Sequence, residues 1–126
     1  MIRPFPAIVG ALALVLCAGC VISHSNSKAV YTLRRHLNAW ETTVAVPIEK
    51  AHRATAAGLS DLGLKPVTSR VDKLSGLAAG SMADGTAFEV RLDAIDAAQT
   101  RIRVRSGLLG DRERSTQLFR AIEARL

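Results

Sequence analysis

The residues predict an α+β fold: a single antiparallel sheet of four to five strands packed by two helices, in β-α-β-β-β-α order. Three observations predict it. Apolar residues recur at helical spacing before Gly63 and again after Asp111. Between those stretches, apolar and charged residues alternate with the period of a strand. Within that β-like stretch, Asp84-Gly85 is a strong hairpin turn signal. One sheet with an apolar face and two helices to cover it buries both kinds of stripe at once.

The elements follow in order. Tyr31 to Val46 carries Thr, Val, Trp and Tyr without a helical stripe and reads as one strand ending near Val46. Pro47 opens a helix where its missing amide costs nothing. Ile48, Ala51, Thr55, Gly58, Leu59 and Leu62 form the inner stripe, and Gly63 is placed to end the helix. Val67 to Asp72 and Ser75 to Met82 are two candidate strands. Phe88, Val90 and Leu92 alternate with Glu89, Arg91 and Asp93, while Ile102 and Val104 alternate with Arg101, Arg103 and Arg105. Pairing Leu92 with Ile102 and Val90 with Val104 keeps both apolar sets on one face. The same register sets Asp93 opposite Arg101 and Glu89 opposite Arg105, so charged and apolar partners agree. Gly107-Leu108-Leu109-Gly110 connects tightly to a last helix with Asp111 as N-cap. Ser115, Leu118, Phe119, Ile122 and Leu126 make its inner face, and Trp40 or Phe119 is expected to supply the largest core contact.

Upstream, residues 1–19 have the three parts of a secretory signal. Arg3 gives the positive start, Ala7 to Leu16 is a short apolar run, and Cys17-Ala18-Gly19-Cys20 follows. Small residues before a cysteine resemble the bacterial lipobox, with Cys17 where a leucine is usual. The resemblance implies cleavage before Cys20 and lipidation of that cysteine. Residues 20–30 then form the lipidated cysteine and a polar tether, and residues 31–126 form the α+β domain. Processing would also remove Cys17, so no disulfide within the mature chain is expected. Two or three acyl chains would hold the protein at the membrane. Val21 follows the cysteine where an aspartate signals inner-membrane retention in some bacteria. By that rule the expected location is the periplasmic face of the outer membrane.

Val46-Pro47-Ile48-Glu49-Lys50, the Leu62-Gly63-Leu64 exit, the Ala83-Asp84-Gly85-Thr86 turn and Gly107-Leu108-Leu109-Gly110-Asp111 form a recognisable set. Together they resemble a family of small bacterial lipoproteins known as a domain of unknown function. The resemblance implies a lipid anchor and a compact α+β domain, and it carries over no catalytic or binding residue.

Chemistry is sparse in the pattern. His24 falls in the tether, and His36 and His52 fall on different elements, so no metal-ligand spacing arises and no cofactor is expected. Ser60 and Ser106 lack a local histidine partner. A hydrolytic reading would need a buried carboxylate beside His36 or His52. The net charge is +6, which favours anionic partners. Export and scarce aromatic residues argue against nucleic acid. Arg101, Arg103 and Arg105 share a strand face as a possible anion-facing stripe, with Asp93 and Glu89 neutralising two of them and Arg103, opposite Arg91, left in surplus. The commoner role for such a stripe is a solvated face that keeps the sheet soluble. The expected function is a lipid-anchored, non-enzymatic envelope module that binds a protein partner or supports envelope assembly. The alternative is a periplasmic lipid- or small-ligand-binding module with a cavity between sheet and helix. The membrane, through the anchor, and an envelope protein are the expected partners.

Overall fold

The computed structural model describes residues 31–126, so the expected leader, the expected lipidation site Cys20 and the expected tether lie outside the described residues. The elements are β1 (Arg34–His36), β2 (Ala39–Val44), α1 (Ile48–Asp61), β3 (Thr68–Val71), β4 (Ser75–Ser81), β5 (Ala87–Asp96), β6 (Gln99–Ser106) and α2 (Arg112–Glu123). They build one antiparallel sheet with two helices on one of its faces, as expected for an α+β domain. The sheet has six strands rather than four to five, ordered β1-β2-β6-β5-β4-β3. The added strand comes from the N-terminal segment, which folds back on itself instead of running straight to Val46. Its turn is made by Leu37 at a φ of 57° and Asn38, between β1 and β2. A leucine in the left-handed region gives no turn signal, because that conformation normally belongs to Gly, Asn or Asp.

From β3 the chain runs as a meander through β4, β5 and β6, and β6 then pairs with β2. The connection from β2 to β3 passes over β6, β5 and β4, and α1 makes that crossing. The β5–β6 register matches the apolar pattern: Leu92 faces Ile102, Val90 faces Val104, Asp93 faces Arg101 and Glu89 faces Arg105. Between β4 and β5, the Asp84-Gly85 turn is closed by the Gly85 amide donating to the Met82 carbonyl at 2.9 Å.

Pro47 is the N-cap of α1, one residue earlier than a first-turn position, and its carbonyl accepts from the Ala51 amide at 3.0 Å. At the other end Gly63, at a φ of 75°, lets the chain reverse. The Gly63 amide then donates to Ser60 and the Leu64 amide to Leu59, which satisfies two carbonyls the helix leaves open. Helix α2 starts at Asp111, whose carboxylate accepts from the Arg114 amide at 3.1 Å.

The core lies between the helices and the inner sheet face. Val44, Phe88, Val90, Leu92, Ile102 and Val104 from the sheet meet Ile48, Ala51, Leu59, Leu118, Phe119 and Ile122 from the helices. Phe88 and Phe119 are the largest fully buried side chains, so Phe119 meets the expectation. Trp40 stands half-buried at the rim instead, because its indole N–H must reach a polar partner. Among the described residues no helix is long and apolar enough to cross a membrane.

Candidate functional site

Because both helices pack on one face, the other face of the sheet is left open among the described residues. Strand alternation decides what it displays. One row across the sheet reads Arg70, Leu77, Arg91, Arg103, Glu41 and Arg34 from edge to edge. A neighbouring row carries Glu89, Arg105, Ala39 and His36, and the row on the other side carries Asp93, Arg101 and Thr43. Six guanidiniums thus share this face with Glu41, Glu89 and Asp93. Arg101, Arg103 and Arg105 do come together on it.

The pairing among them corrects one expectation. Arg103 is not left in surplus: its Nε donates to Glu41 at 3.0 Å. Glu41 comes from β2, whose register against β6 could not be read from the sequence. Glu89 serves two arginines, accepting from Arg91 Nε at 2.6 Å and from Arg105 at 2.8 Å. Arg91 and Arg103 lie directly opposite each other, a like-charge pair that these flanking carboxylates relieve. Asp93 faces Arg101 in the ladder, yet no ion pair within 4.0 Å forms between them among the described residues. Arg34 and Arg70, on the outer strands, extend the basic surface beyond the stripe that β6 alone suggested.

Above Ala39 the face is dimpled. His36, Leu37, Asn38, Ala39, Glu89, Arg91, Arg103 and Arg105 line a concavity of about 180 Å³. The small side chain of Ala39 leaves that space between longer neighbours. A guanidinium already held by a carboxylate keeps part of its fork free, so the surface offers directional donors with its net charge partly compensated.

The ends of the sheet are built differently. Around Trp40, the β1–β2 turn and the Gly107–Gly110 turn are laced together. The Trp40 indole donates to the Gly110 carbonyl at 3.1 Å, Asn38 Nδ2 to Leu108 at 3.5 Å, and Arg35 to Leu37 and Leu109, both at 3.3 Å. Gly110, at a φ of 71°, sits so close to the Asn38 carbonyl that no Cβ fits. The Gly-Leu-Leu-Gly segment is therefore a tight strand-to-helix connection, as its glycines imply.

The histidines do not assemble a catalytic group. His52 Nε2 lies 3.3 Å from the Ser69 hydroxyl, a partner that is not a carboxylate. Burial pushes the His52 pKa below its ordinary value. His36 is exposed on the open face. Among the described residues no cluster of three His, Cys, Asp or Glu side chains could hold a metal ion. Two buried hydroxyls, those of Ser106 and Ser115, have no hydrogen-bond partner among the described residues.

No curated protein matches this chain. A family profile described as Protein of unknown function (DUF3568) matches residues 5–125, nearly the whole sequence. A match of that extent shows the family, and the chain belongs to the DUF3568 family.

Proposed function

We propose that the chain is a lipid-anchored envelope lipoprotein, held through Cys20 at the periplasmic face of the outer membrane. Its domain acts as a non-enzymatic interaction module, with the open sheet face as the surface that meets a protein partner. The observation that carries this reading is the segregation of the fold. Both helices and the whole apolar core are on one side, and a broad basic face with directional donors is on the other. Face-to-face sheet packing normally hides such a surface in a second layer; here no described element covers it. The packed core also favours this reading over an enclosed ligand cavity. Phe88, Phe119, Leu59 and Leu118 fill the space between sheet and helices, and the concavity above Ala39 lies on the surface. A charged, partly compensated face suits recognition of an acidic protein surface by selectivity and steering more than by bulk affinity.

The test is a crosslinking pull-down from intact cells, read by mass spectrometry, with a photoreactive residue at Thr43 or Ala79 on the open face. One dominant envelope protein, lost when Arg91 and Arg103 are both replaced by Glu, supports the reading. Equal recovery from a probe at Arg53 on the exposed side of α1 would refute it.

A further inference from the structure

We propose that the paired turns at one end of the sheet form a wedge that inserts into the headgroup layer of an anionic lipid bilayer. Leu37 on the β1–β2 turn and Leu108 and Leu109 on the β6–α2 turn are 81%, 87% and 81% exposed. Three such side chains gathered at one projecting end are unlike the scattered apolar residues of an ordinary surface. The lacing described above brings them together: Arg35 and Asn38, beside Leu37, donate to the carbonyls of Leu109 and Leu108. Those hydrogen bonds satisfy backbone groups that a dehydrated environment would otherwise penalise. The two turns thus enter as one rigid body with little ordering still required.

Charge says what the wedge faces. The Arg35 and Arg112 guanidiniums lie 5.9 and 5.6 Å from the centre of the Trp40 ring, just behind the leucines. An indole with flanking guanidiniums behind an aliphatic tip matches the order of layers at a bilayer surface, from phosphates to acyl chains. Of the acids at this end, Asp84 is held by Arg114 at 2.7 Å and the Asp111 carboxylate caps α2, while Glu113 is exposed next to Arg112. Leu108 and Leu109 also line a surface concavity of about 740 Å³ with Arg35, Arg112 and Arg114, so guanidiniums and aliphatic side chains meet in one place at this end. At the opposite end of the sheet, exposed Leu74 and Ile95 stand beside Asp72 and Asp96, whose carboxylates accept from the amides of Leu74, Ser75 and Ala98, and no tryptophan accompanies them.

The wedge lies at the end of the sheet: Leu37 also lines the concavity of the open face, whereas Leu108 and Leu109 do not.

Trp40 is the sole tryptophan of the chain and sits at the base of the wedge, so it reports insertion directly. The full chain is reconstituted into vesicles whose acyl chains carry bromine, a contact quencher. One set contains only phosphatidylcholine and the other is rich in phosphatidylglycerol. Quenching in the phosphatidylglycerol vesicles is expected to exceed that in phosphatidylcholine by about twofold or more, and to fall when salt screens the collar. The double variant L108N/L109N, altered only at exposed positions, is expected to melt like the parent and to lose that excess. Equal quenching in the two vesicle types, or equal quenching of parent and variant, overturns the proposal and leaves the tip to a protein partner.

Discussion

Replacing Gly58 by Ala in the middle of α1 tests how the two helices are held together. On helix propensity alone the change should stabilise, since alanine is favoured over glycine by about 1 kcal/mol in a helix interior. The tertiary packing opposes this. A Cβ built on Gly58 would lie 2.7 Å from the Ile122 amide nitrogen and 2.8 Å from the carbonyl carbon and oxygen of Ala121. Those atoms belong to the backbone of α2, so no side chain can rotate away. The helices must move apart by several tenths of an ångström, and both are fixed on the sheet by Ile48, Leu59, Leu118 and Phe119. Overpacking of this kind costs about 1–3 kcal/mol. Since the clash meets rigid backbone, the upper half of that range applies, and a net loss of about 1–2 kcal/mol remains after the propensity gain. For a domain of this size the melting temperature should fall by roughly 5–15 °C. Thermal unfolding of the full chain, followed by circular dichroism, reads the shift. Ala56→Gly, at an exposed position on the same helix, calibrates the propensity effect and should cost about 1 kcal/mol. A Gly58→Ala variant that melts higher than the parent would show that α1 and α2 do not approach as described.

Four further outcomes are expected. Cys20→Ser abolishes incorporation of labelled fatty acid and leaves the chain unprocessed or released; membrane retention with normal cleavage counts against the anchor. Asp111→Ala removes the acceptor for the Arg114 amide and lowers stability by about 1 kcal/mol in chemical denaturation, with Asp111→Asn close to the parent. Burial holds the His52 pKa below its unfolded value of about 6.5, so the unfolded chain takes up the proton more readily. That contribution to stability is complete above about pH 6.5 and is lost as pH falls through the lowered folded value. His52→Gln should therefore flatten the denaturation midpoint between neutral and mildly acidic pH. Arg114 and the Thr86 amide together hold the Asp84 carboxyl well below the usual carboxylate range, which makes Asp84 stabilising above its unfolded pKa of about 4 and progressively less so in stronger acid. Asp84→Asn should weaken the acid dependence of the unfolding transition.

Much of the fold was legible because local chemistry and long-range packing point the same way. Gly63, Asp84-Gly85, Asp111 and the alternation of Phe88, Val90 and Leu92 each act within a few residues of themselves. The β5–β6 register followed too, since only one alignment puts apolar and charged partners together. The β1–β2 hairpin was hidden for the opposite reason. Its turn depends on Leu37 in a left-handed conformation that is stabilised from outside, by Arg35, Asn38 and Trp40 reaching the Gly107–Gly110 turn about 70 residues away.

The candidate surface divides along the same line. That Arg101, Arg103 and Arg105 share one face follows from strand periodicity, and their position opposite Asp93, Arg91 and Glu89 follows from the hairpin. The pairing of Arg103 with Glu41, the extension of the basic face to Arg34 and Arg70, and the gathering of Leu37 with Leu108 and Leu109 do not. Alternation and turn chemistry are properties of neighbours in the chain, so the sequence by itself determined the kinds of element, their inner faces and the nearest strand pairing. Which strand lies beside β6, which face of the sheet stays open and which turns meet at its end are choices among distant segments. Those were decided by the tertiary structure, when α1 crossed the sheet and brought β2 against β6.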